Sequence, residues 1–175
     1  MSPLDHVTDG RPSEKQLRRV VEQHAAAVYR VAITVVHDAA LADDVVQETM
    51  LKAWRHSPVP PNEAIPRAWL LKVARNTAIS LLRTRREDLY APDTLPERTG
   101  GPETDRTVEN RAHLDALWDL MQHLNEDARI LIVLKEVDGL SYDEIASTLD
   151  LPLSTVKTRL YRARKSLKDA LKDWN

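Results

Sequence analysis

Side chains able to bind nucleic acid are concentrated near the carboxyl end of the chain. Every charged residue between Leu151 and Lys168 is basic: Lys157, Arg159, Arg162, Arg164, Lys165 and Lys168. Lysine and arginine bind phosphates, and arginine also donates paired hydrogen bonds to base edges in the major groove. Apolar residues recur at helical spacing on the opposite side: Val156, Leu160, Ala163 and Leu167. This spacing predicts a helix with one buried and one basic face.

A short helix is predicted directly before the basic helix. Ser141 and Glu144 match a capping box, Pro152 interrupts the helical pattern, and Ser154 is predicted to cap the basic helix. Two helices joined by a tight turn are typical of a helix-turn-helix, whose second helix enters the major groove of DNA. An ordinary helical hairpin with a solvated basic face is the alternative interpretation.

Composition limits the class of protein. The 175 residues are rich in Ala, Leu, Arg, Lys and Glu and contain only four Gly, which predicts an all-α protein. Cysteine is absent, which excludes disulfides, thiolate metal sites and thiol redox sensing within the sequence. No apolar run reaches the length of a membrane span, and residues 1–10 lack the pattern of a signal peptide. We therefore expect a cytoplasmic protein without membrane insertion.

The net charge of −2 hides an uneven distribution. A second segment, residues 67–86, also carries only basic charges, at Arg67, Lys72, Arg75, Arg83, Arg85 and Arg86. Residues 87–127 between the two basic segments are rich in Asp and Glu. Two basic helices separated by an acidic segment indicate two contacts with a phosphate backbone.

A helix predicted from about Ala40 to Arg55 carries a different surface. Its inner face is predicted to consist of apolar and small residues: Ala42, Val46, Thr49, Met50 and Ala53. Its outer face is predicted to be acidic and polar: Asp43, Asp44, Gln47 and Glu48. Leu51 falls on this outer face. An apolar residue inside an acidic patch is common in protein interfaces, although single exposed leucines are also ordinary.

Two further helices complete the N-terminal half. A long helix is predicted from Ser13, with one side lined by Leu17, Val20, Val21, His24, Val28, Val31 and Val35. Another is predicted from Trp69 to Arg83, with Leu70, Ala74, Ala78 and Leu81 facing inward. On that helix Lys72, Arg75, Asn76 and Arg83 are predicted to face outward. Trp69 is interpreted either as a core residue or as a platform for an unpaired base.

Proline and glycine divide the chain. Residues 1–12 are predicted to be a flexible tail, and residues 13–90 a helical domain. Within this domain, Pro58, Pro60, Pro61 and Pro66 predict a rigid loop over residues 57–66. Residues 91–110 contain little apolar content and are predicted to be a flexible linker. Residues 111–175 then form a smaller domain that ends in the helix-turn-helix.

In this order and spacing the motifs resemble the extracytoplasmic-function family of bacterial sigma factors, which consist of sigma-70 regions two and four. The resemblance rests on Ala42–Arg55, Arg67–Arg83, Arg129–Ala146 and Ser154–Arg164, and extends over residues 14–170. The chain departs from the family pattern at Ser80, where many members have Asp, and at Asn125, where Pro is common.

The resemblance implies several partners. Core RNA polymerase would bind through its β′ clamp helices and its β subunit, and promoter DNA would bind at two elements. Residues implied to contact polymerase are Asp43, Asp44, Gln47, Glu48 and Leu51. The loop over residues 57–66 matches the family's specificity loop, which captures a flipped-out base. An anti-sigma factor is implied as a regulator.

The two basic helices take separate roles in this family. Residues implied to contact the minus-ten element are Trp69, Lys72, Arg75, Asn76 and Arg83. Residues implied to contact the minus-35 element are Ser154, Thr155, Lys157, Thr158, Arg159, Arg162 and Arg164. Among the latter, Arg159 and Arg162 are candidates for base edges, and Lys157 and Arg164 for phosphates.

Two alternative functions remain open from the residues. A self-sufficient helix-turn-helix regulator needs only residues 111–175 and leaves the acidic helix unexplained. An enzyme using Asp43, Asp44 and Glu48 as metal ligands lacks a partner His or a second acidic cluster. We therefore expect no catalytic residues, no metal site, no cofactor and no small-molecule substrate.

Overall fold

The structure is a computed structural model that describes residues 12–60, 63–89, 121 and 123–172. These residues form helices and connecting turns, without a β-strand among them, which confirms the all-α prediction. Residues 1–11 of the predicted tail, the whole predicted linker, and Leu114, Leu117 and Trp118, whose spacing also predicts a helix, lie outside the described residues. Within the described ranges no helix is long and apolar enough to cross a membrane.

Three N-terminal helices form one bundle: α1 (Glu14–Val36), α2 (Ala39–Arg55) and α3 (Arg67–Leu89). Ser13 caps α1 by accepting a 3.2 Å hydrogen bond from the Gln16 amide, and Asp38 caps α2 by accepting a 3.0 Å bond from the Leu41 amide. Valine and leucine side chains fill the core, with Val28, Val31, Val45, Leu70 and Leu71 fully buried. Each of the three helices packs against the other two.

The C-terminal helices are α4 (Glu126–Ile132), a π-helical turn (Val133–Val137), α5 (Tyr142–Leu149) and α6 (Leu153–Lys172). Asn125 caps α4 through the Ala128 amide at 2.9 Å, so an asparagine serves well where proline is common in the family. The Ser141–Glu144 capping box is present as predicted. Leu131, Leu134, Ile145, Val156 and Leu160 form the core beneath the helix-turn-helix.

Packing corrects three details of the sequence interpretation. Val21 is 40% exposed and Val20 is buried, because adjacent helix residues point about 100° apart and α1 packs on the Val20 side. On α2, Val45 is fully buried, whereas Val46 is only partly buried against the core. Ser154 does not cap α6: the helix begins at Leu153, and the Pro152 carbonyl accepts from the Val156 amide at 3.1 Å.

The N-terminal and C-terminal helices contact each other directly. α3 packs against α5, and α1 packs against α4 and the π-helical turn. Asp150, which ends α5 in the left-handed conformation (φ 54°), lies in the turn before α6. This arrangement brings the turn of the helix-turn-helix beside the basic helix α3.

Candidate nucleic-acid and protein interfaces

The outer side of α2, which we call the acidic surface, consists of Asp43, Asp44, Gln47, Glu48 and Leu51. The first three are exposed and Glu48 is half-buried. Leu51 keeps 40% of its surface exposed. These residues share one side of the helix, because positions three and four apart are neighbours on an α-helix. The structure therefore brings together an apolar side chain and an acidic rim, as the sequence predicted.

Trp54 enlarges the acidic surface and was not identified from the sequence. It lies one turn after Leu51, on the same side of α2, and is 37% exposed. The signal was present as the i, i+3 spacing of two apolar residues outside the core stripe. Tryptophan is enriched among residues that dominate binding energy in protein interfaces. Leu51 and Trp54 together give this surface an apolar centre.

The outward residues predicted on α3, which we call the α3 surface, are Lys72, Arg75, Asn76 and Arg83. Asn76 and Arg83 are exposed, whereas Lys72 and Arg75 are half-buried. Lys72 Nζ lies 2.6 Å from Asp150 Oδ1, across the contact with the C-terminal helices. All four lie on the outer side of the N-terminal bundle, but Lys72 and Arg75 are half-buried, because α5 packs against the first half of α3.

One apolar residue lies within the α3 surface. Ile79 is 39% exposed and falls one turn after Arg75 and one turn before Arg83. Sequence reasoning did not name it, although its phase follows from the helical spacing. Apolar side chains on a DNA-binding surface contact thymine methyl groups or base faces. Ile79 thus adds an exposed apolar side chain to this surface.

Trp69 and the proline-rich loop lie at the start of α3. Trp69 is partly buried and packs against the hydrophobic core, which agrees with the core interpretation. Ile65 is buried and anchors the end of the loop. A cleft of about 380 Å³ separates the loop from α1 and is lined by polar residues that include Gln16, Gln23, His24 and Glu63. Burial lowers the pKa of His24, and the nearby Arg67 lowers it further.

The predicted minus-35 residues lie on α6 and form what we call the α6 surface. Ser154, Lys157, Thr158, Arg159, Arg162 and Arg164 are exposed, and Thr155 is half-buried. Arg159 Nη1 lies 3.2 Å from Asp127 Oδ2 of α4. Tyr161, which the sequence analysis left out of the site, is 70% exposed on the same helix.

Arg164 has partners within the C-terminal helices. Its Nε and Nη2 donate to Glu136 Oε1 at 2.9 and 2.6 Å. These bonds, together with a hydrogen bond to Tyr142, raise the pKa of Arg164. A guanidinium held this way is oriented by its acid partner, so it can reach a phosphate only from a fixed position. Arg162 and Lys157 instead project from the exposed side of the helix.

Potential metal ligands do not cluster in the part of the chain that the structure describes, where no three His, Cys, Asp or Glu side chains come together. The acidic surface thus offers separate carboxylates on one helix face. Such an arrangement suits electrostatic steering of a basic partner.

Comparison with known proteins gives consistent matches over nearly the whole chain. The Sigma-70 region 2 model matches residues 20–87, and the Sigma-70, region 4 model matches residues 114–167. The ECF RNA polymerase sigma factor SigL of Mycobacterium tuberculosis is 38% identical over 160 residues, which cover 90% of this chain and 89% of SigL.

Two solved structures share the fold. The sigma factor RpoE from Bartonella quintana, in complex with the anti-sigma factor NepR, has a TM-score of 0.69 and 26% identity, and the match covers 90% of this chain and 98% of RpoE. CnrH, in complex with the cytosolic domain of CnrY, has a TM-score of 0.67 and 26% identity, covering 92% of this chain and 90% of CnrH.

Proposed function

Because the chain belongs to the extracytoplasmic-function family of sigma-70 factors, we propose that it binds core RNA polymerase and directs promoter-specific transcription initiation. The observation that carries this function is the presence of region two and region four in family order, with 38% identity to a sigma factor over 90% of the chain. A self-sufficient regulator would leave the matched region two without a role.

The acidic surface of α2 is the proposed docking site for the β′ clamp helices of polymerase. Its exposed Leu51 and Trp54 would supply an apolar centre, and Asp43, Asp44 and Glu48 would orient the approach of a basic partner. This division suits an interface in which apolar contacts provide affinity and the charged rim provides the direction of approach.

The α3 surface and the proline-rich loop are proposed to bind the minus-ten element as it opens. Asn76, Ile79 and Arg83 are exposed along α3, and Lys72 and Arg75, nearer its start, are half-buried. Basic and apolar side chains along one helix suit a single strand whose phosphates and bases are both accessible. The cleft between the loop and α1 offers polar side chains for an extracted base.

The α6 surface is proposed to bind the minus-35 element in duplex DNA. α6 is the second helix of a helix-turn-helix, and its first turns carry Ser154, Lys157 and Thr158. Arg162 is exposed one turn further along and is the best placed arginine for a base edge. Residues 13–90 and 111–175 would then act as two DNA-binding domains on one polymerase.

Regulation and location follow from the same assignment. The structures of RpoE and CnrH contain NepR and CnrY, and we propose that a comparable anti-sigma factor controls this chain. The family consists of initiation factors, and phosphodiester chemistry would remain with polymerase, in the bacterial cytoplasm.

Reconstitution tests the proposed function. The purified chain is mixed with bacterial core RNA polymerase, recovered by pull-down, and used in run-off transcription from a promoter library. Polymerase binding with start sites at a selected set of promoters is the expected result. Binding to duplex DNA without binding to polymerase would instead identify a helix-turn-helix regulator.

A further inference from the structure

Lys52 of α2 links the acidic surface to α3. Its Nζ donates to Thr77 Oγ1 of α3 at 3.0 Å and lies 3.6 Å from Glu48 Oε1, one turn earlier on α2. Thr77 is only 3% exposed, whereas the side chains of Lys52 and Glu48 keep 39% and 43% of their surface. The ammonium of Lys52 therefore lies at the edge between the two helices, bonded on one side and partly exposed on the other.

This ammonium retains the capacity to bind a further acceptor. A lysine ammonium has three donors, and its bond to Thr77 is the only hydrogen bond that it makes within the described ranges. The distance to Glu48 exceeds hydrogen-bond length, and a pair of neighbours on the surface of a helix is weak. An anion that approaches from solvent can therefore bind Lys52 while the bond to Thr77 remains.

Lys52 meets α3 beside the exposed part of the α3 surface. Its partner Thr77 directly follows Asn76, and Ser80 and Arg83 continue along the outer side of α3 within the next two turns. Asn76, Ser80 and Arg83 are all exposed. A single strand that follows these side chains runs beside the edge at which Lys52 lies.

Ser80 places a neutral side chain at this edge. It lies one turn after Thr77, and residues three apart are neighbours on a helix, so position 80 adjoins the contact between Lys52 and Thr77. Many members of the family have Asp here, and a carboxylate at this position would compete for the ammonium. The serine hydroxyl instead leaves the positive charge to an anion from outside.

We propose that Lys52 binds a phosphate of the minus-ten strand, so that α2 contacts DNA as well as polymerase. The inference rests on the proposed function, because it extends the minus-ten surface onto the helix that is proposed to dock on polymerase. Arg55, which is exposed in the last turn of α2, continues the same basic edge. A phosphate suits a lysine, whose compact charge accepts several directions of approach and reads no sequence.

Glu48 limits the strength of this contact in the free chain. Its carboxylate attracts the Lys52 ammonium and repels an incoming phosphate. A basic partner at the acidic surface attracts the same carboxylate and thereby strengthens the contact of Lys52 with DNA. Coupling of this kind is reciprocal, so a bound strand also strengthens the binding of that partner.

Five variants separate a phosphate contact from a structural role of Lys52. Lys52→Met removes the charge and keeps an unbranched side chain, whereas Lys52→Arg keeps the charge. Thr77→Val removes the hydrogen bond between α2 and α3 and keeps the charge of Lys52. Glu48→Gln removes the competing carboxylate. Asp44→Asn is its matched control, because it removes an exposed acid of the same surface one turn earlier.

Each full-length variant is titrated with a 20-nucleotide oligothymidylate at several salt concentrations, and circular dichroism checks its folding. Lys52→Met should bind about fivefold more weakly and lower the slope of log affinity against log salt by roughly 0.7, the value for one phosphate of a single strand. Lys52→Arg and Thr77→Val should retain the affinity and slope of the unaltered chain. Glu48→Gln should bind about threefold more tightly than Asp44→Asn, and this gain should vanish when Lys52→Met is added.

An unchanged salt slope in Lys52→Met would overturn the inference. Equal losses of affinity in Thr77→Val and Lys52→Met would show that Lys52 only joins α2 to α3, which also overturns it. A gain from Glu48→Gln that persists without Lys52 would overturn the competition between Glu48 and phosphate. If the unaltered chain does not bind the oligonucleotide, the minus-ten assignment fails and the Lys52 contact fails with it. Polymerase pull-down is scored separately and should be retained by Lys52→Met, so loss of polymerase docking is distinguishable from loss of the phosphate contact.

Discussion

The acidic surface of α2 and the basic α3 surface lie on neighbouring helices of one bundle but have different surroundings. Asp43, Asp44 and Leu51 of α2 remain exposed, and Leu51 keeps 40% of its surface. On α3, Lys72 pairs with Asp150, and Arg75 lines a cavity beneath the C-terminal helices. A charged helix face that is predicted from the sequence can therefore still be covered by another part of the chain. The proposed polymerase surface is exposed, whereas the first half of the proposed minus-ten surface is half-buried beside the C-terminal helices.

The largest effect is expected on polymerase binding, through the exposed acidic surface of α2. Leu51→Ala with Asp44→Ala should weaken binding to core polymerase by ~2–4 kcal/mol, because it removes the apolar centre and part of the acidic rim. Fluorescence anisotropy with labelled chain measures the affinity. Leu171→Ala with Asp169→Ala is a matched control, since it removes an exposed leucine and an exposed acid from α6. Equal polymerase affinities of the two variants would refute the assignment of the acidic surface as the docking site.

The next largest effect is expected on duplex DNA binding, where two arginines of α6 differ in their partners. Arg162 is exposed, whereas Arg159 pairs with Asp127 at 3.2 Å. Arg162→Ala should cost ~1–3 kcal/mol in binding to a duplex that contains the selected minus-35 sequence, and less on an unrelated duplex. Arg159→Ala should cost less, because this side chain gives up its acid partner on binding. Gel-shift titrations on both duplexes measure the difference. A uniform loss across sequences would place Arg162 among the phosphate contacts.

A smaller effect is expected on the free energy of unfolding, at a residue that links α2 and α3. Asp38 caps α2 and lies 3.1 Å from Arg85 of α3, so it joins both helices. Asp38→Ala should lower the free energy of unfolding by ~1 kcal/mol, whereas Asp38→Asn retains most of the cap. Urea unfolding followed by circular dichroism compares the two variants. Similar losses in both would show that the charge, rather than the cap, is what matters.

The Asp38 carboxyl should also make the stability of the fold depend on pH. A hydrogen bond from the Leu41 amide lowers the pKa of Asp38, and one from the Ser141 amide lowers the pKa of Glu144. The unfolded chain then binds these protons first as pH falls. The stabilisation is complete above the ordinary carboxyl pKa of about 4 and is lost below it. Unfolding between pH 6 and pH 3 should show a weaker pH dependence in Asp38→Asn than in the unaltered chain.

The smallest effect distinguishes the two halves of the α3 surface. Arg83→Ala should reduce the salt dependence of single-strand binding by about one phosphate contact. Lys72→Ala should reduce affinity less, because binding by Lys72 comes at the loss of its pair with Asp150. Oligothymidylate titrations at several salt concentrations compare the variants. A larger loss for Lys72→Ala would mean that its pair with Asp150 does not compete with DNA.

Local sequence patterns predicted the helices well. Ser13, Ser141 and the phase of the apolar stripe on α6 identified helix starts and buried faces close to those observed. Val21 and Ser154 were misassigned, because the edge of the buried face and the first residue of a helix depend on how the helices pack. The acidic surface followed from spacing alone, since α2 presents it without help from a distant element.

The contact of Asp138 with Arg30 and Arg67 could not be predicted from the sequence. Arg30 and Arg67 are separated from Asp138 by 108 and 71 positions, and single acids and bases in a highly charged chain offer countless possible pairs. The predicted outward phase of Lys72 was correct for an isolated bundle, and it became partly buried only through a second group of helices. Local periodicity reports which residues leave the core but not what covers them.

The π-helical turn of Val133–Val137 acts as a single-residue insertion in the helix that precedes Asp138. Each residue of an α-helix advances the chain by roughly 100°, so one extra residue changes the direction in which every following side chain points. Val137 is 56% exposed, and Asp138 lies completely buried against two arginines. A one-residue deletion in this turn would turn the carboxylate away from its partners without altering any of the three charges. The pairing of Asp138 with Arg30 and Arg67 thus depends on the phase of one helix.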